Sequence, residues 1–272
     1  MRRPAATHAA SLVREGNKEK TMEKTERNRM IFGVRAVLEA MDAGTTIDKI
    51  FLKNDTTGDL ARELMAKARE RAVPVQRVPL EKLNRLTRGN HQGVVAFVSP
   101  VAYLDPEETV TRIYEESRVP KLLILDGITD TRNFGAMART ADCAGFDAIV
   151  IPERGSVSVT PEAVKTSAGA LFRIPVCRCR NLVDTARLLK AMGVMIIGAS
   201  EKARYRYTEA DMTVPLAIVM GAEDVGISSQ MLRECDELVS IPMLGNISSL
   251  NVSVAAGVMM YETVRQRLLQ NQ

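Results

Sequence analysis

Three stretches of this 272-residue chain place small polar and charged residues directly after apolar runs. In KLLILDGITDTRNFGAMARTADCAG, from Lys121, the side chains able to do chemistry are Asn133 and Arg139. In LAIVMGAEDVGISSQMLREC, from Leu216, the candidate is Glu223, and Gly221 lets the backbone come close to a ligand. In ELVSIPMLGNISSLNVSVAAGVMMYE, residues 237–262, Asn246, Ser248, Ser249 and Asn251 stand ahead of a helix. An apolar strand ending in such a loop aims backbone N–H groups and small side chains outside the carboxyl edge of a sheet. The helix that follows turns its N-terminus to the same place, which suits an anionic or nucleotide-like ligand. Three such loops in one chain point to one composite pocket.

Each residue also has a plainer reading. Asn133 could be a helix cap, Arg139 a surface ion pair to Asp142, and Glu223 a solvated loop acid. Capping accounts for one or two of the polar residues of the third loop, and four exceed what a cap needs. Arg139 lies six residues beyond Asn133, so the two side chains diverge by about 120° around a helix. A long arginine leans towards the helix N-terminus and can reach back. The first loop is neither GxGxxG nor a Gly-Lys-Ser/Thr phosphate loop, so the common dinucleotide and nucleoside triphosphate folds are poorly supported.

Other chemistries lack material. Two histidines, His8 and His91, leave nothing for a histidine metal site or a Ser-His-Asp triad, so no metal is expected. Cys143, Cys177, Cys179 and Cys235 form no CxxC pair and read as reduced, buried or half-buried thiols of a cytosolic protein. No run of 18 apolar residues occurs, so no membrane association is expected. Residues 29–105 carry 12 Lys/Arg against 9 Asp/Glu, and residues 106–272 carry 18 against 20. A basic N-terminal part beside a near-neutral remainder fits a polyanion-binding module next to a catalytic one; a solvated surface with a mild excess fits as well.

The elements that must position these loops follow from periodicity. Residues 1–28 show no apolar period and read as a disordered tail, its first half faintly like a transit peptide, with Met22 an alternative start. Residues 29–100 read as a small α/β unit. Helices are expected over 31–41, 60–72 and 80–86, and strands over 48–52, 75–78 and 93–98. The loop LTRGNHQG, residues 86–93, could approach a phosphate backbone, with His91 more often a solvent-facing loop residue than a catalyst. Residues 101–120 read as a linker and a helix capped by Asp105 with Pro106 in first position. From residue 121 strands (122–125, 148–151, 174–177, 194–197, 216–220 and 238–241) alternate with helices (134–144, 161–168, 182–192, 229–235 and 252–269). Strands apolar throughout, such as LLIL and LAIVM, want both faces covered, which predicts a parallel sheet between helices.

The motifs NFGAMARTADCAG, IVMGAEDVGIS and IPMLGNISSLNVSVAAGVMMYE, in this order and spacing, resemble the three signature motifs of the SpoU/TrmH branch of the SPOUT RNA methyltransferases. The resemblance runs from about residue 31 to 267 and takes in GNHQGVVAFVSP of the first unit. It implies an α/β fold: a trefoil-knotted parallel-sheet catalytic domain over 121–272 behind a small ribosomal-protein-like substrate-binding domain. It further implies a cytoplasmic homodimer with active sites built from both subunits, S-adenosylmethionine as cofactor, and RNA as partner. The first choice of substrate is a guanosine of large-subunit rRNA. The alternatives are a tRNA, or a non-catalytic RNA-binding relative acting in ribosome assembly.

By position, the resemblance gives catalytic roles to Asn133, Arg139, Glu223, Ser249 and Asn251. It gives cofactor contacts to Gly221, Ile241 and Leu250, and further to Ala199, Ser200, Ala222 and Met243. It places Val254, Val258 and Tyr261 of the last helix at the dimer interface. Thr131, Arg132 and Phe134 depart from the commoner Asp-Pro-His-Asn-Leu-Gly form, and the charge of Arg132 would suit a phosphate. With few aromatic residues and no Trp, RNA contact is expected to lean on cations such as Arg77, Arg85, Arg88, Lys202, Arg204 and Arg206.

Overall fold

A computed structural model describes residues 30–270. The tail expected over residues 1–28 lies outside the described residues. The described residues fall into two compact units, divided between residues 99 and 100.

In the first unit the order is β1 (Met30–Phe32), α1 (Val34–Asp42), β2 (Ile47–Lys53), α2 (Asp59–Glu70), β3 (Val75–Val78), α3 (Leu80–Leu86) and β4 (Val94–Val98). The sheet runs β1-β4-β2-β3, with β4 antiparallel to both neighbours and β2 parallel to β3. Alternate strand residues feed two cores: Ile50, Leu52, Val94 and Ala96 under α1 and α2, and Phe51 and Val95 beside Leu83 of α3. Strand β1 replaces the first turn of the helix expected over 31–41. Ile31, Val34, Val37, Leu38 and Met41 have helical spacing, but Gly33 adopts φ 91° and its N–H closes the β1–β4 ladder on the Val94 carbonyl at 3.0 Å. A positive φ cannot continue a right-handed helix.

In the second unit the order is β5 (Tyr103–Leu104), α4 (Pro106–Glu115), β6 (Lys121–Asp126), α5 (Thr131–Cys143), β7 (Ala148–Pro152), α6 (Pro161–Thr166), β8 (Val176–Cys179), α7 (Leu182–Ala191), β9 (Met195–Ala199), β10 (Tyr205–Arg206), β11 (Leu216–Gly221), α8 (Ser229–Glu234), β12 (Glu237–Ser240) and α9 (Val252–Gln270). The eight strands lie in the order β10-β12-β9-β11-β6-β7-β8-β5, and every pairing is parallel. Leu123, Leu125, Ile149, Ile151, Ile218 and Met220 enter one core with α5 and α9; Leu122, Ile124, Ala148, Val150, Ala217 and Val219 enter another with α4, α7 and α8. Both faces are covered, as the apolar runs demand. All carboxyl ends lie on one edge, so the loops after β6, β11 and β12 open on the same side.

Several boundaries shift for local reasons. Strand β12 ends at Ser240 because Pro242 has no N–H for the ladder. Strands β5 and β10 are two residues each, too short to show a period. Asp105 caps α4 through the Glu107 and Glu108 amides at 2.8 and 3.1 Å. Cys177 and Cys179 are buried, and burial pushes both thiols up to about 11. Burial pushes Cys235 up to about 12. Cys143, at the end of α5, is exposed, against the expectation of a covered thiol.

Candidate active site

The start of α5 is capped by Asp130, whose carboxylate accepts the Arg132 and Asn133 amides at 2.8 and 2.7 Å. This frees the Asn133 side chain from the capping role open to it in the sequence. At the other end of the site, the Asn251 oxygen accepts the Ser253 amide and hydroxyl at 3.0 and 2.5 Å and so caps α9. The Asn251 NH₂ faces away from the helix. It donates to Glu223 Oε1 at 2.6 Å and to Asn133 Oδ1 at 3.0 Å. The ring closes through Asn133 Nδ2, which donates to Glu223 Oε1 at 3.2 Å, while the Val252 amide donates to the same oxygen at 3.2 Å. Three loops far apart in sequence thus share one carboxylate oxygen, and none of the plainer readings of Asn133 or Glu223 describes them.

Glu223 is carried by a tight hairpin, residues 222–226, closed by a pair of hydrogen bonds between Ala222 and Gly226 at 3.1 and 2.8 Å. The hairpin folds back over the end of β11. A Cβ on Gly221 would lie 2.1 Å from the Gly226 carbonyl carbon and the Ile227 nitrogen, so only glycine fits there. Beyond the hairpin, the Ser228 amide donates to Asp126 at the end of β6 at 2.7 Å, and the Ser228 hydroxyl caps α8.

Beside this ring lies a cavity of about 250 Å³. All seven candidate cofactor residues, Ala199, Ser200, Gly221, Ala222, Ile241, Met243 and Leu250, line it, and so do Glu223 and Ser249. Ile227 and Leu232, which the sequence did not single out, also line it, their only signal being adjacency to the loops, and so does Lys202, expected as an RNA contact. The walls combine small and apolar residues with the charged Glu201, Lys202, Glu223 and Asp224. They suit the flat base and short amino-acid arm of a nucleoside sulfonium cofactor, whereas a polyphosphate would need the glycine-rich cradle that the chain lacks.

Arg139 stands apart. It is exposed on α5 and makes no hydrogen bond or ion pair among the described residues. Its sequence neighbour Asp142 pairs with Arg173 instead, at 2.8 Å. His91 also departs from expectation: it is buried, with Nε2 to Asn84 Oδ1 at 2.9 Å and Nδ1 accepting the Gly93 amide at 3.1 Å. That pairing makes His91 the internal brace of its own loop. Arg77 is also engaged, donating to the Asn54 carbonyl at 2.6 Å.

Residues 120–261, just over half the chain, match the sequence profile of the SpoU rRNA Methylase family. The chain belongs to the SpoU/TrmH family. Residues 30–104 match the profile described as RNA 2′-O ribose methyltransferase substrate binding. A Staphylococcus saprophyticus protein, named among the TrmH family tRNA/rRNA methyltransferases, is 40% identical over 238 residues, which cover 88% of this chain and 96% of the relative. Among solved structures of the family, the AdoMet-bound rRNA methyltransferase of Sinorhizobium meliloti is 27% identical and covers 87% of each chain at a TM-score of 0.55. The SpoU methyltransferase AviRb of Streptomyces viridochromogenes, in complex with AdoMet, is 26% identical, with 88% and 90% covered and a TM-score of 0.55. The family fold is an α/β one, with a mixed-sheet unit ahead of a parallel-sheet methyltransferase unit.

Proposed function

We propose that this chain transfers a methyl group from S-adenosylmethionine to a ribose 2′-hydroxyl of RNA, with a guanosine of large-subunit rRNA as the substrate and tRNA as the second choice. The observation that carries the reading is the Asn133–Glu223–Asn251 ring set against a cavity walled by all seven cofactor candidates. The AdoMet-bound relatives support the cofactor, and the rRNA methyltransferase among them supports the substrate.

The sulfonium, when bound, supplies an activated methyl whose transfer forms a C–O bond, breaks a C–S bond and leaves a neutral thioether. The chain's residues must then manage the acceptor. A ribose hydroxyl is a poor nucleophile until its proton leaves for solvent, so charge develops on its oxygen. Arg139, exposed and unpaired among the described residues, has a guanidinium free to stabilise that charge, and a guanidinium is too weak a base to take the proton. Glu223 holds the two asparagine amides, and Asn133, Asn251 and Ser249 orient the ribose or its phosphate.

The family's trefoil knot and homodimer belong to the same reading. Val254 and Tyr261 on α9 are 52% and 51% exposed and lie on one helical face with half-buried Val258, which is where a partner subunit would pack. Incubation with labelled S-adenosylmethionine and total RNA tests the function. Label in alkali-resistant, ribose-methylated nucleotides of large-subunit rRNA is expected; label in tRNA moves the substrate, and no label in RNA ends the reading.

A further inference from the structure

Three arginines stand at the carboxyl edge of the parallel sheet, on the far side of β6 from the cavity. Arg178 is in β8, Arg180 follows that strand, and Arg154 follows β7. Strand register puts Asp126 level with Gly221, and Cys179 level with Pro152. From Gly221 to the end of β8 is three strand spacings, about 14 Å.

The arginines form one electrostatic group. All three act on Glu153, and Arg180 Nε lies 3.7 Å from its carboxylate. Burial nevertheless raises the Glu153 carboxyl above its usual range, and one of its oxygens is buried without a hydrogen-bond partner. The guanidinium carbon of Arg178 lies 3.3 Å from the centroid of the Tyr103 ring, a cation–π contact that holds the group beside β5. Arg154 is exposed and makes no hydrogen bond or salt bridge among the described residues.

This group is fastened to the catalytic loop. The Val159 amide donates to the Tyr103 hydroxyl at 3.1 Å, and the Val157 amide donates to the Ile128 carbonyl at 2.9 Å. Ile128 is five residues ahead of Asn133 in the loop that opens α5. The segment that carries Arg154 is therefore pinned between β5 and the loop bearing the first catalytic candidate.

We infer that Arg154, Arg178 and Arg180 hold phosphates of the RNA strand beside the target nucleotide, so that the substrate crosses the carboxyl edge from β8 to β11. The inference rests on the RNA-methyltransferase reading for its ligand. Planar guanidinium groups fit phosphate oxygens, and their single charge sign leaves the contact blind to base identity. A flanking strand must be held in this way whatever its sequence.

The test is binding of a dye-labelled single-stranded RNA to the full chain, by anisotropy, across a potassium chloride series. Each phosphate contact contributes about 0.7 to the slope of log affinity against log salt concentration. Arg154→Ala is expected to lower that slope by about 0.7, and Arg154→Ala with Arg180→Ala by about 1.4. Arg180→Lys should keep the wild-type slope, which separates charge from packing, and thermal melts should show each variant folded. A double variant with the wild-type slope overturns the proposal. Methyl incorporation by the wild type is read separately: shifted slopes without it remove the methyltransferase reading and keep the RNA surface, whereas unchanged slopes with it remove only the surface.

Discussion

Two loops of the molecule hold a polar side chain with backbone amides, and they do so to opposite ends. In the first unit His91 accepts the Gly93 amide and meets Asn84, so that every partner lies within seven residues. The loop closes on itself, and the imidazole is consumed. In the second unit Glu223 accepts the amides of Asn251, Val252 and Asn133, partners 28, 29 and 90 residues away. There the same kind of bond draws three loops together, and the ring remains open to solvent on one side. A side chain braced by its neighbours in sequence serves its own loop, while one braced across the sheet edge builds a site.

The largest expected effect lies outside both loops. Arg139→Ala should lower methyl transfer by about 10²-fold, the scale of losing one charge stabiliser, and leave S-adenosylmethionine affinity by calorimetry near wild type; near-normal turnover would remove Arg139 from the reaction. Next is Gly221→Ala. Its methyl meets main chain at 2.1 Å, which cannot give way as a side chain could. A stability loss of about 1–3 kcal/mol and a fall in cofactor affinity are expected, and unchanged affinity would mean that the hairpin is not part of the cofactor wall.

Glu223→Ala should follow. It leaves both asparagine amides without their shared acceptor, so transfer should drop about tenfold, on the order of one net charge-assisted hydrogen bond. Adding Asn133→Ala to it should cost little more, because members of one network are not additive. Fully additive losses would show that the ring does not act as a unit. The smallest effect is expected from His91→Ala: a loss of about 1–2 kcal/mol in chemical denaturation from the unpartnered Gly93 amide, with turnover at saturating RNA unchanged. A large fall in turnover would erase the contrast between the two loops.

What could be read from the sequence divides along the same line. The parallel sheet was legible because LLIL, AIVI and LAIVM are apolar at every position, a pattern that only a strand covered on both faces sustains. The seven residues that motif resemblance offers as cofactor contacts converge on one cavity. The Asn133–Glu223–Asn251 ring was not legible as geometry, because its bonds join residues up to 118 apart and no local period records them. Strand β1 was hidden by an apolar spacing that served a helix equally well, with Gly33 deciding the matter. His91 was misjudged because a glycine-rich polar loop reads as open, whereas here its amides turn inward.

The hairpin of residues 222–226 carries one more consequence. Its base is closed by paired amides, Ser228 beyond it is tied to Asp126, and Glu223 within it is held by three donors. A mobile rim would give up about 1–2 kcal/mol of backbone freedom per residue each time a ligand ordered it. Every turnover must admit a fresh donor and release its demethylated product, so that toll would recur with each donor bound. A rim settled during folding meets that cost once in the lifetime of the molecule, and leaves donor exchange to depend on contacts rather than on closure.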